Sequence, residues 1–129
     1  MLKTGILNPA INNLLSRVRH TNTLVIADRG FPYWPQIETV DISLVDGIPT
    51  VLEVLKAIRV NFVIGKAWMA EEFLRHNDAQ TQAAFRSVLE GVPLDFEPHV
   101  QFKKRVPQAI GLIRSADTVQ YANMILESA

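Results

Sequence analysis

Apolar residues come in short bursts between polar stretches, and the spacing within each burst separates helices from strands. Asn8-Pro9 pairs an N-cap residue with a proline suited to a first helical turn. Ile11, Leu14, Leu15 and Val18 then fall at i, i+3, i+4 and i+7, which predicts a helix. Its last turn carries Arg17, Arg19 and His20, where positive charge complements the helix dipole. The unalternating run 24–27 reads as a short buried strand, and 39–44 alternates weakly as a second. Asp46-Gly47 is a turn signal, and Pro49 opens a predicted helix to about Arg59 with Val51, Leu52, Leu55 and Ile58 on one face. Residues 62–69 read as a central strand. A helix is expected over 77–90, closed by Gly91. A strand over 94–96, a short helix over 99–106 and late strands over 109–114 and 121–126 complete the pattern.

Helical and apolar extended segments alternate through most of the chain. Short strands without polar alternation are those buried on both faces. The prediction is therefore an α/β fold, a three-layer α/β/α arrangement with a mainly parallel central sheet. No linker or repeat divides the sequence, so residues 1–129 read as a single domain.

Charge narrows the function. Thirteen basic and thirteen acidic side chains cancel, which leaves none of the electrostatic footprint of a nucleic-acid binder. No apolar run approaches the ~20 residues of a membrane span. There is no cysteine, so thiolate nucleophiles and disulfides are excluded and a reducing cytoplasm is the expected location. Metal-ligand spacings, GxGxxG and P-loop patterns and a GxSxG elbow are all lacking from the sequence, so neither metal nor nucleotide cofactor is expected. The mean hydropathy of +0.11 is high for a chain this small and predicts apolar surface buried between subunits.

The candidate chemistry concentrates around the first strand. His20 stands before it and Asp28 at its carboxyl end, just ahead of Gly30 and Pro32. Ligands of open α/β sheets bind outside the carboxyl ends of strands. His20 reads as a general acid/base, with an unperturbed pKa near ~6.5, or as a residue that only complements the helix dipole. Asp28 reads as a hydroxyl or proton acceptor, or as a turn cap for Gly30. His99, after Pro98, is either a helix-start residue or a second site histidine. His76 reads as a solvated or capping residue. Glu71 and Glu72 are adjacent, so on a helix they point about 100° apart, and they are read as structural. Tyr121 and Asn123 offer a hydrogen-bonding face, with a ring able to stack on the apolar side of a sugar.

Together these segments resemble the D-ribose pyranase and L-fucose mutarotase family, closer to its ribose branch. The matching pieces are Gly5 to Asn8, Arg19-His20-Thr21 through Asp28, Gly30-Phe31-Pro32, Asp46 to Pro49, Ala70 to Glu72 with His76-Asn77, His99 to Lys103, Ile113 to Ser115 and Tyr121 to Asn123. The resemblance implies cofactor-independent interconversion of sugar ring forms or anomers by general acid/base catalysis. His20 matches the acid/base. Asp28, His99, Lys103, Tyr121 and Asn123 match sugar-binding positions. The resemblance further implies a ring-shaped homo-oligomer, a decamer of two pentamers, with sites shared between neighbouring subunits. Arg29 departs from the pattern, standing where a small residue or histidine is usual, and is a possible specificity residue. Two other readings stand beside this one. One is a non-catalytic, transport-associated sugar binder. The other is an isomerase or lyase of another small carbonyl compound, with Arg29 binding its carboxylate or phosphate.

Overall fold

In the computed structural model, which describes residues 1–3 and 5–129, the first helix forms where its cap predicts. The Asn8 side chain accepts the Ile11 N–H at 3.0 Å and opens α1 (Pro9–Arg17). The chain turns through residues 18–22 into β1 (Thr23–Ala27), then crosses to β2 (Glu38–Asp41). The next helix, α2 (Val51–Asn61), begins two residues later than Pro49, because Thr50 and Glu53 form a reciprocal capping box that fixes the start. β3 (Ile64–Ala70) follows.

The segment after β3 departs from expectation. A short helix, α3 (Glu71–His76), follows directly, and the single helix expected over 77–90 is only α4 (Ala79–Val88). Asn77 is extended, and the Asp78 side chain accepts the Thr81 N–H at 2.8 Å to start α4. These two polar residues therefore divide the helical segment in two. β4 (Leu94–Glu97) and α5 (His99–Arg105) come next, with a 3-10 turn over Val106–Gln108. β5 (Gly111–Arg114) and β6 (Met124–Ser128) are the late strands. The expected strand over 121–126 is displaced: Tyr121 to Asn123 lie in the loop before β6, with Tyr121 at φ +56°.

Six strands form one sheet in the order β2-β5-β1-β6-β3-β4. β1 and β2 both run parallel to β5, and β3 runs parallel to β4. β6 alone is inserted antiparallel, between β1 and β3. The sheet is thus mainly parallel with helices on both faces, the expected α/β class.

Alternate residues of the strands serve two cores. Leu24, Ile26, Met69, Ile113 and Met124 pack under α1 to α4 through Leu14, Leu55, Ile58, Phe73 and Phe85. Val25, Ala27, Trp68, Leu112 and Ile125 face the other way, against Phe31, Phe102 and Val106. Among the described residues α5 and its 3-10 extension supply the helical cover on this second face. Gly111 lets α1 lie close: a Cβ there would come within 2.6 Å of Leu14.

Candidate active site

Strand polarity gathers the site. The carboxyl ends of β1, β3, β4 and β5 share one end of the sheet, and β6, running the other way, brings its amino end to the same place. Asp28, α3, His99, the segment after Arg114 and the Tyr121–Asn123 loop therefore converge although they are far apart in sequence. They enclose a pocket of about 370 Å³, lined among others by Asp28, Arg29, Phe31, His99, Asp117, Tyr121 and Asn123.

Hydrogen bonds fix its floor. Asn123 Oδ1 accepts the Asp28 N–H at 2.8 Å, and Asp28 Oδ1 accepts the Gly30 N–H at 2.9 Å. Asp28 is therefore a turn cap and a pocket residue at once; the two roles do not compete. Asp117, 3% exposed, accepts from the Val51 N–H at the start of α2 and the Val119 N–H, both at 2.8 Å. It ties the loop before β6 to a helix N-terminus, where a carboxylate is favoured. Burial pushes the Asp28 carboxyl above its ordinary pKa and the nearby Asp117 charge adds to this. N–H donors from Gly30 and Phe31 and a hydrogen bond with the Asn123 side chain work against it.

One wall is aromatic. His99 lies edge-on to Tyr121 at 5.2 Å between ring centroids, edge-on to Phe31 at 6.1 Å, and stacked on Phe102 at 6.0 Å. His76 lies against Tyr121 with 5.1 Å between ring centroids, the planes tilted by 32°. The His99 N–H is held by the Glu72 carboxylate at 2.8 Å, so Glu72 caps α5 from the start of α3. His99 Nδ1 is buried and has no hydrogen-bond partner among the described residues. Burial, then the Lys103 charge, lower the His99 pKa; Glu72 and Asp28 oppose this. The folded protein therefore refuses a proton that the unfolded chain accepts near pH 6.5. The unfolded state binds more protons in that window, so stability falls as pH drops from about 6.5 towards the lower folded value. Denaturant midpoints measured from about pH 7.5 down to 5.5 should decline more steeply in wild type than in His99→Asn. Equal slopes would mean that His99 contributes nothing to this dependence.

Comparison with known proteins identifies the architecture. The family model described as RbsD / FucU transport protein family matches residues 1–129. The chain belongs to this family. It is 41% identical over 128 residues to a D-ribose pyranase of Geobacillus kaustophilus, covering 99% of this chain and 93% of that one. A D-ribose pyranase of Chromobacterium violaceum is likewise 41% identical, covering 99% and 97%. The structure of Bacillus subtilis RbsD complexed with D-ribose superposes with a TM-score of 0.93 at 27% identity, covering 100% of this chain and 98% of that one. A fucose mutarotase from Streptococcus pneumoniae shares the fold, with a TM-score of 0.83 at 19% identity, covering 99% and 98%.

Of the residues singled out in this RbsD / FucU family member's sequence, Asp28, Arg29, His99, Tyr121 and Asn123 come together. Lys103 does not line the pocket; it stands one turn along α5, close enough for its charge to act on His99. Arg29 lines the rim, but its guanidinium already meets the Asp46 carboxylate at 2.7 Å. His20 lies elsewhere. It is exposed in the turn before β1, at the opposite end of the sheet. A strand rising ~3.3 Å per residue separates that turn from Asp28 by about 16 Å. Beside it Thr21 takes φ +65°, and its N–H is held by the Ser128 carbonyl at 3.0 Å. Phe31 and Asp117 line the pocket and were not singled out from the sequence, whereas Glu72, read as structural, caps α5. The Ser115-x-Asp117-x-Val119 spacing, a local capping pattern just after a strand, carried a signal for Asp117. Among the described residues no cluster of three or more His, Asp or Glu side chains is placed to hold a metal, and no helix is long and apolar enough to cross a membrane.

Proposed function

We propose that this protein interconverts the ring forms of a neutral pentose, ribose being the favoured substrate, by general acid/base catalysis without a cofactor. The observation that carries the reading is the pocket itself: the Asp28 carboxyl, the His99 imidazole, the Asn123 amide and the Tyr121 ring set around a volume of about 370 Å³. Family membership and the 41% identity to D-ribose pyranases support it.

A pyranose is a cyclic hemiacetal. Opening takes the proton from the anomeric hydroxyl, breaks the bond between C1 and the ring oxygen, and gives that oxygen a proton. Closure through another hydroxyl yields the furanose. Asp28, His99, Tyr121 and Asn123 hold sugar hydroxyls, Lys103 supports His99 from α5, and His20 moves the protons. His20 cannot reach Asp28 within one chain, so it enters the pocket of a neighbouring copy in the decamer of two pentamers that the family resemblance implies. Leu44, Val45 and Ile48 are 76%, 58% and 54% exposed beside Asp46 at the pocket rim, an apolar surface suited to that neighbour. A cysteine-free chain suits a reducing cytoplasm. Arg29 narrows the mouth, but Asp46 meets its charge and the Asp28 and Asp117 carboxylates line the pocket, so a phosphorylated sugar is disfavoured.

Saturation-transfer NMR on D-ribose tests this directly. Exchange between pyranose and furanose signals should rise in proportion to protein concentration and remain low for ribose 5-phosphate. Sugar binding without accelerated exchange would instead mark a non-catalytic, transport-associated binder.

A further inference from the structure

The loop over residues 28–32 forms a side of the pocket. Two of its N–H groups are held from the segment between β5 and β6: that of Asp28 by Asn123 at 2.8 Å, that of Arg29 by the Asp117 carbonyl at 3.1 Å. Its carbonyls are gathered by one side chain. Arg114, at the carboxyl end of β5, is the register partner of Ala27 on β1 and of Asp41 on β2. Its Nη1 donates to the carbonyls of Asp28 at 3.2 Å and Arg29 at 3.4 Å, and its Nη2 to that of Pro32 at 3.3 Å. Each bond is long. Their number and their spread across both ends of the loop are what constrain it.

We propose that Arg114 is a positioning residue for ring exchange, its planar fork fixing the curve of the 28–32 loop and hence the place of the Asp28 carboxylate. This rests on the reading of the pocket as a ring-exchange site. Arg114 does not line the pocket, so it acts through the loop. A rigid guanidinium with five donors can span the Asp28 and Pro32 carbonyls together; an ammonium is a point donor and cannot. The Asp41 carboxylate also faces Arg114, which is why charge and fork must be separated experimentally.

Ring exchange of D-ribose is measured for wild type, Arg114→Ala and Arg114→Lys. Small displacements of a positioned group are costly, so Arg114→Ala should lose about ten- to a hundredfold in kcat/KM. Millimolar guanidinium should recover part of that loss and ammonium should not. Arg114→Lys should melt near the wild-type temperature yet remain well below wild-type activity. Wild-type activity in either variant, or equal rescue by both ions, overturns the proposal; if Arg114→Ala does not fold, the lysine variant decides. Should wild type itself show no exchange, the ring-exchange reading fails and amide hydrogen exchange still judges the clamp. The Arg29 and Gly30 amides, held by Asp117 and Asp28, should exchange faster in Arg114→Lys than in wild type, and unchanged protection overturns it.

Discussion

His20→Ala should lower the rate of ribose ring exchange by about 10²–10⁴-fold, the range general acid/base groups contribute, while ribose still binds. The split follows from position. The groups proposed to hold hydroxyls, Asp28, His99, Tyr121 and Asn123, sit in one pocket of one chain. His20 sits at the other end of β1 in an exposed turn. Removing it leaves the binding pocket intact, so kcat falls and KM changes little. If the site is shared, a second result follows. Asp28→Ala should be inactive for the opposite reason, because it destroys the pocket but keeps His20. When the two inactive variants are unfolded together and reassembled, about a quarter of head-to-tail contacts would pair an intact His20 with an intact Asp28. Activity should return in the mixture and in neither parent. An active His20→Ala removes His20 from the reaction; a silent mixture of two well-assembled variants overturns the shared site.

The elements with a strong local signal were legible. α1 and α2 carry caps and a 3.6-residue apolar period, and β1 and β3 are apolar runs between breakers, so existence and type followed from local chemistry. The α3–α4 division was hidden because the polar pair Asn77-Asp78 also fits inside an exposed helix face. What decides is tertiary: Asn77 Nδ2 donates to the Phe73 and Gln120 carbonyls at 2.9 Å each, and residue 120 is remote in sequence. The antiparallel setting of β6 was likewise invisible, since period and composition do not encode strand direction. That direction carries much of the site, because it alone brings Tyr121 and Asn123 to the end of the sheet where Asp28 stands. Sequence proximity misled at His20. Only seven residues separate it from Asp28, but five of them are a strand, and a strand places its flanking residues as far apart as its length allows. Asp28, His99, Tyr121 and Asn123 stood out in the sequence as polar groups beside apolar strands, and the fold brings these four to one pocket.

Phe102→Ala should cost about 3–5 kcal/mol of stability and lower the melting temperature by about 10–20 °C at matched protein concentration. Phe102 is fully buried on the face of the sheet that α5 covers, meeting Phe31 edge-on at 6.1 Å and stacking on His99 at 6.0 Å. Its removal leaves a cavity under the one helix that presents His99. On the opposite face Phe85, 2% exposed, packs on Phe73 at 4.8 Å and has no part in the pocket. Phe85→Ala is thus a matched control, with a similar loss of packing and a comparable fall in melting temperature. The two variants should part when assayed well below both transitions. Phe85→Ala should keep the wild-type affinity for ribose per folded molecule. Phe102→Ala should bind ribose more weakly, because the ring on which His99 stacks has gone and the imidazole is no longer held in place at the pocket wall. Equal affinity in the two variants would mean that the Glu72 cap on the His99 backbone N–H is enough to place the residue, and that the aromatic wall serves stability alone.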